Sequence, residues 1–231
     1  MRMAESVTGP ARRVGRPRKS ASDSELPPRE QILAVAERLF TEHGLTEVTM
    51  SQIAAEAGLG QSSLYYWFRR KEQLIAELLR RINRLPTEFA RGADGDPAQR
   101  LWRLICFDVL TVCAFPLEIT EVHRVGHAAG EEFAAYWAER DELVGVVARL
   151  IEDGIVEGFF RQVDGRLCAL ALIAQDESVQ HWRGADGLSA YDPAQIACFL
   201  ADQAVRGLLL DSDQLERVRR FDGLTELVTR R

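Results

Sequence analysis

Two clusters of residues have the types and spacing for chemistry. In the first, the segment Q-S-S-L-Y-Y-W-F, Gln61 to Phe68, lies between two helix breaks and follows a short helical segment through Ala57-Gly58-Leu59-Gly60. Two short helices joined by such a turn form a helix-turn-helix. Gly58 permits the sharp turn, and Leu59 and Leu64 plug the small core. The polar opening of the second helix is left to protrude, as it must to enter a DNA major groove. In the second cluster, His123 and His127 are four residues apart, which on a helix puts both rings on one face. With Glu121 or Glu131 nearby, the pair has the spacing of metal ligands. H-R-V-G-H nevertheless lacks the interior Glu of a zinc hydrolase, and no third ligand is fixed by spacing. Half-buried histidines, or hydrogen-bonders to a bound molecule, therefore outweigh a metal. No G-x-S-x-G, phosphate-cradling glycine loop or H-E-x-x-H occurs. The expectation is a protein that is not an enzyme and holds no metal or cofactor.

The elements that must position these groups are helical almost throughout. Of the 231 residues, 46% are apolar and 28% charged, an ordinary globular composition with enough chain for one large or two small domains. Residues 1–27 are rich in Arg, Ser, Pro and Gly without apolar periodicity and read as a disordered basic arm. From Pro28 a helix carries Ile32, Leu33, Ala36, Leu39 and Phe40 on one stripe and ends at Gly44. Thr49 and Gln52 form a capping box, with Val48 and Ile53 placed as its hydrophobic staple. A helix from Lys71 carries Leu74, Ile75, Leu78, Leu79 and Ile82. Pro86 and the stretch Gly92 to Asp96 then divide the chain, giving units 28–85 and 86–231. Asp96-Pro97-Ala98-Gln99 recurs as Asp192-Pro193-Ala194-Gln195, and each reads as a capped helix start. Further helices are expected near 117–127, 130–158 and 164–183. No segment alternates long enough to argue for a sheet, so the fold class is all-α.

Charge separates the two units. Residues 1–84 hold 14 Lys and Arg against 10 Asp and Glu, whereas 85–231 hold 15 against 25. A basic part that meets a polyanion and an acidic part that avoids it would look like this. The longest apolar run, Leu167 to Ala174, is far below the roughly 18 residues that span a bilayer, and no hydrophobic stretch follows the basic N-terminus. Cys106, Cys113, Cys168 and Cys198 include no C-x-x-C pair and read as reduced thiols of a cytoplasmic protein without a membrane partner.

Residues 49–74, T-M-S-Q-I-A-A-E-A-G-L-G-Q-S-S-L-Y-Y-W-F-R-R-K-E-Q-L, resemble the DNA-binding signature of the tetracycline-repressor (TetR) family, and Phe40 and Gly44 fit it too. The resemblance implies an N-terminal three-helix helix-turn-helix domain and a C-terminal helical domain for ligand binding and dimerisation. It implies that Thr49 caps its helix and brings a hydroxyl to a phosphate, and that Gln61, Ser62 and Ser63 face the groove. Gln61 offers a bidentate amide to adenine, while Ser is a less selective reader. Tyr65 and Lys71 correspond to phosphate contacts, and Tyr66 to a base or backbone contact. Three departures bear on operator sequence or affinity: Gly60 replaces a Ser or Thr cap, Ser62 stands where glycine is common, and Arg70 takes a capping position. In the arm, Gly15-Arg16-Pro17-Arg18-Lys19 resembles the G-R-P core of an AT-hook, which would place Arg16 in a narrow minor groove; a plain basic tether is the alternative.

In the C-terminal part, Trp102, Phe107, His123, His127, Phe133, Trp137 and Gln175 are the candidates for contact with a small apolar or aromatic effector, although aromatics at helical spacing are more often core. The Ala- and Leu-rich segments 164–183 and 193–210 are candidates for a dimer surface. The combined expectation is a cytoplasmic, ligand-responsive DNA-binding transcription regulator. It would repress as a homodimer on a palindromic operator of double-stranded DNA and be released by an unknown small-molecule effector. Two other readings remain: a metal-dependent helical enzyme or metal sensor using His123 and His127, and an architectural DNA-binding protein without an effector.

Overall fold

The computed structural model describes residues 26–183 and 191–219. Most of the basic arm, including Arg16, lies outside the described residues. The helices are α1 Pro28–Glu47, α2 Met50–Glu56, α3 Gln61–Trp67, α4 Lys71–Gly92, α5 Pro97–Ala114, α6 Ile119–Ala129, α7 Ala134–Val156, α8 Gly165–Arg183, α9 Pro193–Leu208 and α10 Leu215–Val218. Short 3-10 turns at Gly130–Phe133 and Ser212–Gln214 precede α7 and α10. Extended pairing among the described residues is confined to an isolated bridge between Phe160 and Leu209.

The local signals do what their chemistry requires. Thr49, Asp96 and Asp192 each cap a helix in a reciprocal box with the Gln three residues on, and Pro97 and Pro193 take first-turn positions that need no N–H. α1 is interrupted at Gly44, whose φ of 81° only glycine adopts without strain; one further turn then leads to Val48.

The expected break at Pro86 is absent. α4 passes through it to Gly92, so a division at residue 85 falls inside a helix. Pro86 removes the N–H that would bond the Ile82 carbonyl, a cost of about 3 kcal/mol or more in an unsupported helix. Here Leu74, Leu78, Ile82, Pro86 and Ala90 form a continuous buried stripe, and packing holds the helix through the defect.

The buried core follows the same logic. One cluster joins α1–α4 to Val112, Leu117, Ile119, Val122, Phe133 and Tyr136, so the helix-turn-helix shares its interior with α6 and the start of α7. A second cluster fills the space among α5, α7, α8, α9 and α10.

Candidate nucleic-acid interface

The helix-turn-helix is built from contacts only a few residues long. The Thr49 hydroxyl accepts from Gln52 N–H at 3.3 Å and donates to Gln52 Oε1 at 2.9 Å, while Thr49 N–H donates to that same oxygen at 2.8 Å. Val48 and Ile53 are both buried beneath this box. α2 ends in a turn whose pivot, Gly58, has φ of 66°, and Leu59 N–H donates back to the Ala54 carbonyl at 2.9 Å. Leu64, with Phe68 just past its end, pins α3 to the core. Gln61, Ser62, Ser63, Tyr65, Tyr66 and Trp67 are exposed, Tyr66 at 80%. Gln61 Nε2 donates to Ser51 Oγ at 2.6 Å, which ties the first reading residue to α2 while leaving its amide oxygen open. Ser51 and Trp67 are also exposed beside these residues, although the motif did not single them out. Trp67 meets the Tyr66 ring edge-on at 5.2 Å, and its signal was the aromatic run Tyr65 to Phe68, of which only Phe68 is buried.

Lys71 departs from its expected role. Its ammonium donates to the carbonyls of Leu45, Thr46 and Val48 at 2.7, 3.1 and 3.0 Å. An ammonium has three N–H donors, and here all three go to carbonyls left without partners where α1 ends. No donor remains for a phosphate in this geometry. Arg70, exposed at the start of α4, places Nη1 on Glu132 Oε1 at 3.0 Å, a surface ion pair that bridges the helix-turn-helix to the turn before α7. Lys71→Met is expected to lower the melting temperature, through about 1–3 kcal/mol of stranded carbonyls, and to weaken binding to every DNA sequence alike. Thermal unfolding together with binding to operator and random duplexes checks this; an unchanged melting point would return Lys71 to a purely phosphate-facing role.

Behind this head, α4 is stitched to α7 by ion pairs. Arg80 bonds Glu139 Oε1 at 2.9 and 2.6 Å and Glu77 at 3.3 Å. The residues expected around an effector are only partly gathered. His123, His127 and Trp137 converge, with ring centroids 5.1 and 4.8 Å from the indole, and His123 Nε2 is 2.5 Å from the Tyr136 hydroxyl. Phe133 is fully buried against Gly126, in the core shared with the head. Trp102 is buried in the other core cluster, its indole N–H on Asp202 at 3.0 Å. Phe107 stacks on Phe89 at 4.5 Å, and Gln175 is exposed.

The body also buries a polar group beside its apolar core. Asp108 of α5 and Asp176 of α8 are only 5% and 3% exposed, and they hydrogen-bond to one another. Burial, then the proximity of one carboxyl to the other and of Glu177, holds Asp176 well above the usual carboxylate range; burial likewise pushes Asp108 up to about 7. Asp108 Oδ1 has no hydrogen-bond partner. Beside them Arg140 grips Glu177 with two bonds at 3.0 and 2.9 Å. Burial lowers the His123 pKa and raises that of the Tyr136 hydroxyl.

Comparison with known proteins decides the family. The signature described as bacterial regulatory proteins, tetR family, matches residues 32–78, and that of the tetracyclin repressor-like C-terminal domain matches residues 94–208. The chain belongs to the tetR family. The HTH-type transcriptional repressor KstR2 of Mycobacterium tuberculosis is 29% identical over 140 residues, covering 58% of this regulator and 69% of KstR2. AmtR of Mycobacterium smegmatis superposes with a TM-score of 0.64 at 26% identity, covering 86% and 95% of the two chains. AibR, in complex with isovaleryl coenzyme A and operator DNA, shares the fold with a TM-score of 0.61 at 23% identity, covering 79% and 98%.

Among the described residues of this tetR-family regulator, no group of three His, Cys, Asp or Glu is placed to hold a metal ion. Its histidine pair instead packs on Trp137. No helix among the described residues is long and apolar enough to cross a membrane. The polar nest of Asp108, Arg140, Asp176 and Glu177 was legible only in fragments. Asp176 interrupts an apolar run, and Asp108 sits within Ile105 to Leu110, but nothing in sequence brings two carboxyls 68 positions apart into contact.

Proposed function

We propose that this regulator is a cytoplasmic repressor that binds a palindromic operator as a homodimer and is released when a small molecule enters the body. The observation that carries the reading is α3. Its apolar residue Leu64 is buried, while Gln61, Ser62, Ser63, Tyr65 and Tyr66 all face outward from a helix pair whose first member is capped by Thr49. A single seven-residue helix reads too few base pairs, whereas two held about 34–36 Å apart read a palindrome. The exposed apolar side chains Leu167 and Leu170 of α8 and Phe199 of α9 support pairing of two copies through these helices. The aromatic group of His123, Tyr136 and Trp137, beside the polar nest, supports an effector with an aromatic or apolar body. The AibR complex, with both an acyl-coenzyme A and operator DNA, is a precedent within the fold. Effector and operator oppose one another reciprocally, by about 1–3 kcal/mol in a typical coupled system.

Footprinting across the regulator's own promoter region, followed by a panel of operator variants, tests the proposal. Gln61→Ala is expected to lose about 1–3 kcal/mol of discrimination at one base position per half-site and little elsewhere. A protected palindrome is expected with wild-type protein. Absence of any protected sequence, or unaltered specificity in Gln61→Ala, would refute the assignment.

A further inference from the structure

The four cysteines are thiols, and two of them face each other across the seam between α5 and α9. These helices run antiparallel. Trp102 Nε1 meets Asp202 Oδ1 at 3.0 Å, and one turn further along α5 the Cys106 thiol donates to the Ala197 carbonyl at 3.7 Å. One turn forward from Trp102 is Cys106, and one turn back from Asp202 is Cys198. The register that pairs the indole with the carboxylate therefore sets the two thiols beside one another.

Their surroundings differ in a way that assigns roles. Cys106 is fully buried, and that burial, reinforced by Asp176 of α8, keeps its thiol protonated. Cys198 is half-buried; the adjacent Cys106 side chain, with the Arg219 guanidinium nearby, lowers its thiol to about 7. Arg219 is itself fixed by Asp202, its Nε 2.8 Å from Oδ1. An accessible thiol that ionises near neutrality, beside a buried partner thiol, is the arrangement that reacts with peroxides and resolves to a disulfide.

We infer that Cys106 and Cys198 form a dithiol that hydroperoxides oxidise to an intramolecular disulfide, pinning α9 to α5. The Cys198 thiolate attacks one oxygen of hydrogen peroxide, and the O–O bond breaks. The departing hydroxide takes a proton and leaves as water, and Cys198 becomes a sulfenic acid. The Cys106 sulfur then displaces the sulfenic oxygen, which takes the Cys106 proton and departs as a second water. Two thiols and one peroxide give one disulfide and two waters, and the sulfurs lose the two electrons that the peroxide gains.

Reduced full-length protein, freed of reductant, is treated with hydrogen peroxide, and its non-reduced digest is mapped by mass spectrometry. The expected product is a Cys106 peptide joined to a Cys198 peptide, lighter by two hydrogens than the separate peptides and separated again by dithiothreitol. Cys198→Ser abolishes the link. Cys106→Ala, which leaves no resolving thiol, accumulates a Cys198 sulfenic acid that dimedone traps. If oxidised wild-type protein shows no such link, or joins Cys198 instead to Cys113, to Cys168 or to a second copy, the inference is overturned.

Discussion

Arg140→Met is expected to cost about 3–5 kcal/mol of folding stability, the usual cost of removing one partner from a buried ion pair. The guanidinium and Glu177 carboxylate are each less than one-fifth exposed and are joined by two bonds. Removing the cation strands the Glu177 carboxyl without its partner beside Asp108 and Asp176, where burial already disfavours charge. Removing both partners is different, because an apolar pair of similar volume leaves no stranded charge. Arg140→Met/Glu177→Met is therefore expected to recover most of the loss. Chemical denaturation of the single and double variants measures the difference. A single variant within about 1 kcal/mol of wild type would show that water, rather than Arg140, satisfies Glu177.

The second large effect concerns pH. Asp108 and Asp176 hold a proton more tightly in the folded chain than in the unfolded one, so the folded state binds more protons. Their contribution is therefore fully present below the ordinary carboxyl range, near 4, and is lost as pH rises through about 7. His123 acts in the opposite sense. Burial lowers its pKa, so its contribution is present above about 6.5 and is lost as pH falls. Arg140 and Glu177 face the same space, joined to one another by two bonds.

Asp108→Asn isolates the carboxyl component. An amide in that place can still meet Asp176 but has no proton to lose. The variant is expected to unfold at a higher temperature than wild type at pH 8, by roughly 2–8 °C for a gain of about 1–2 kcal/mol. At pH 5.5, where the wild-type pair is protonated, the advantage is expected to shrink. Melting curves at the two pH values decide it; the same offset at both would exclude the shared proton as the cause.

These effects arise at places the sequence did not disclose. The pocket aromatics read from helical spacing are dispersed: Trp102 serves α9, Phe107 stacks on Phe89, and Phe133 lies under Gly126. Helical period states which residues share a face, not which neighbouring helix that face meets. Lys71 lay in a motif position associated with phosphate, yet its ammonium closes the end of α1, 23 to 26 positions earlier. Pro86 read as a boundary because an isolated helix would break there; the stripe of burial around it decided otherwise.

Sequence alone determined the helix starts at Thr49, Asp96 and Asp192, the turn at Gly58, and the outward polar face of α3. Each depends on hydrogen bonds or sterics within about four residues, so residue type and spacing suffice. Tertiary structure alone decided the partners of the buried charges and thiols: Arg140 with Glu177 at a separation of 37, and Trp102 with Asp202 at 100. A buried polar group is tolerated only beside its complement, and that complement is set by how whole helices pack rather than by the chain nearby.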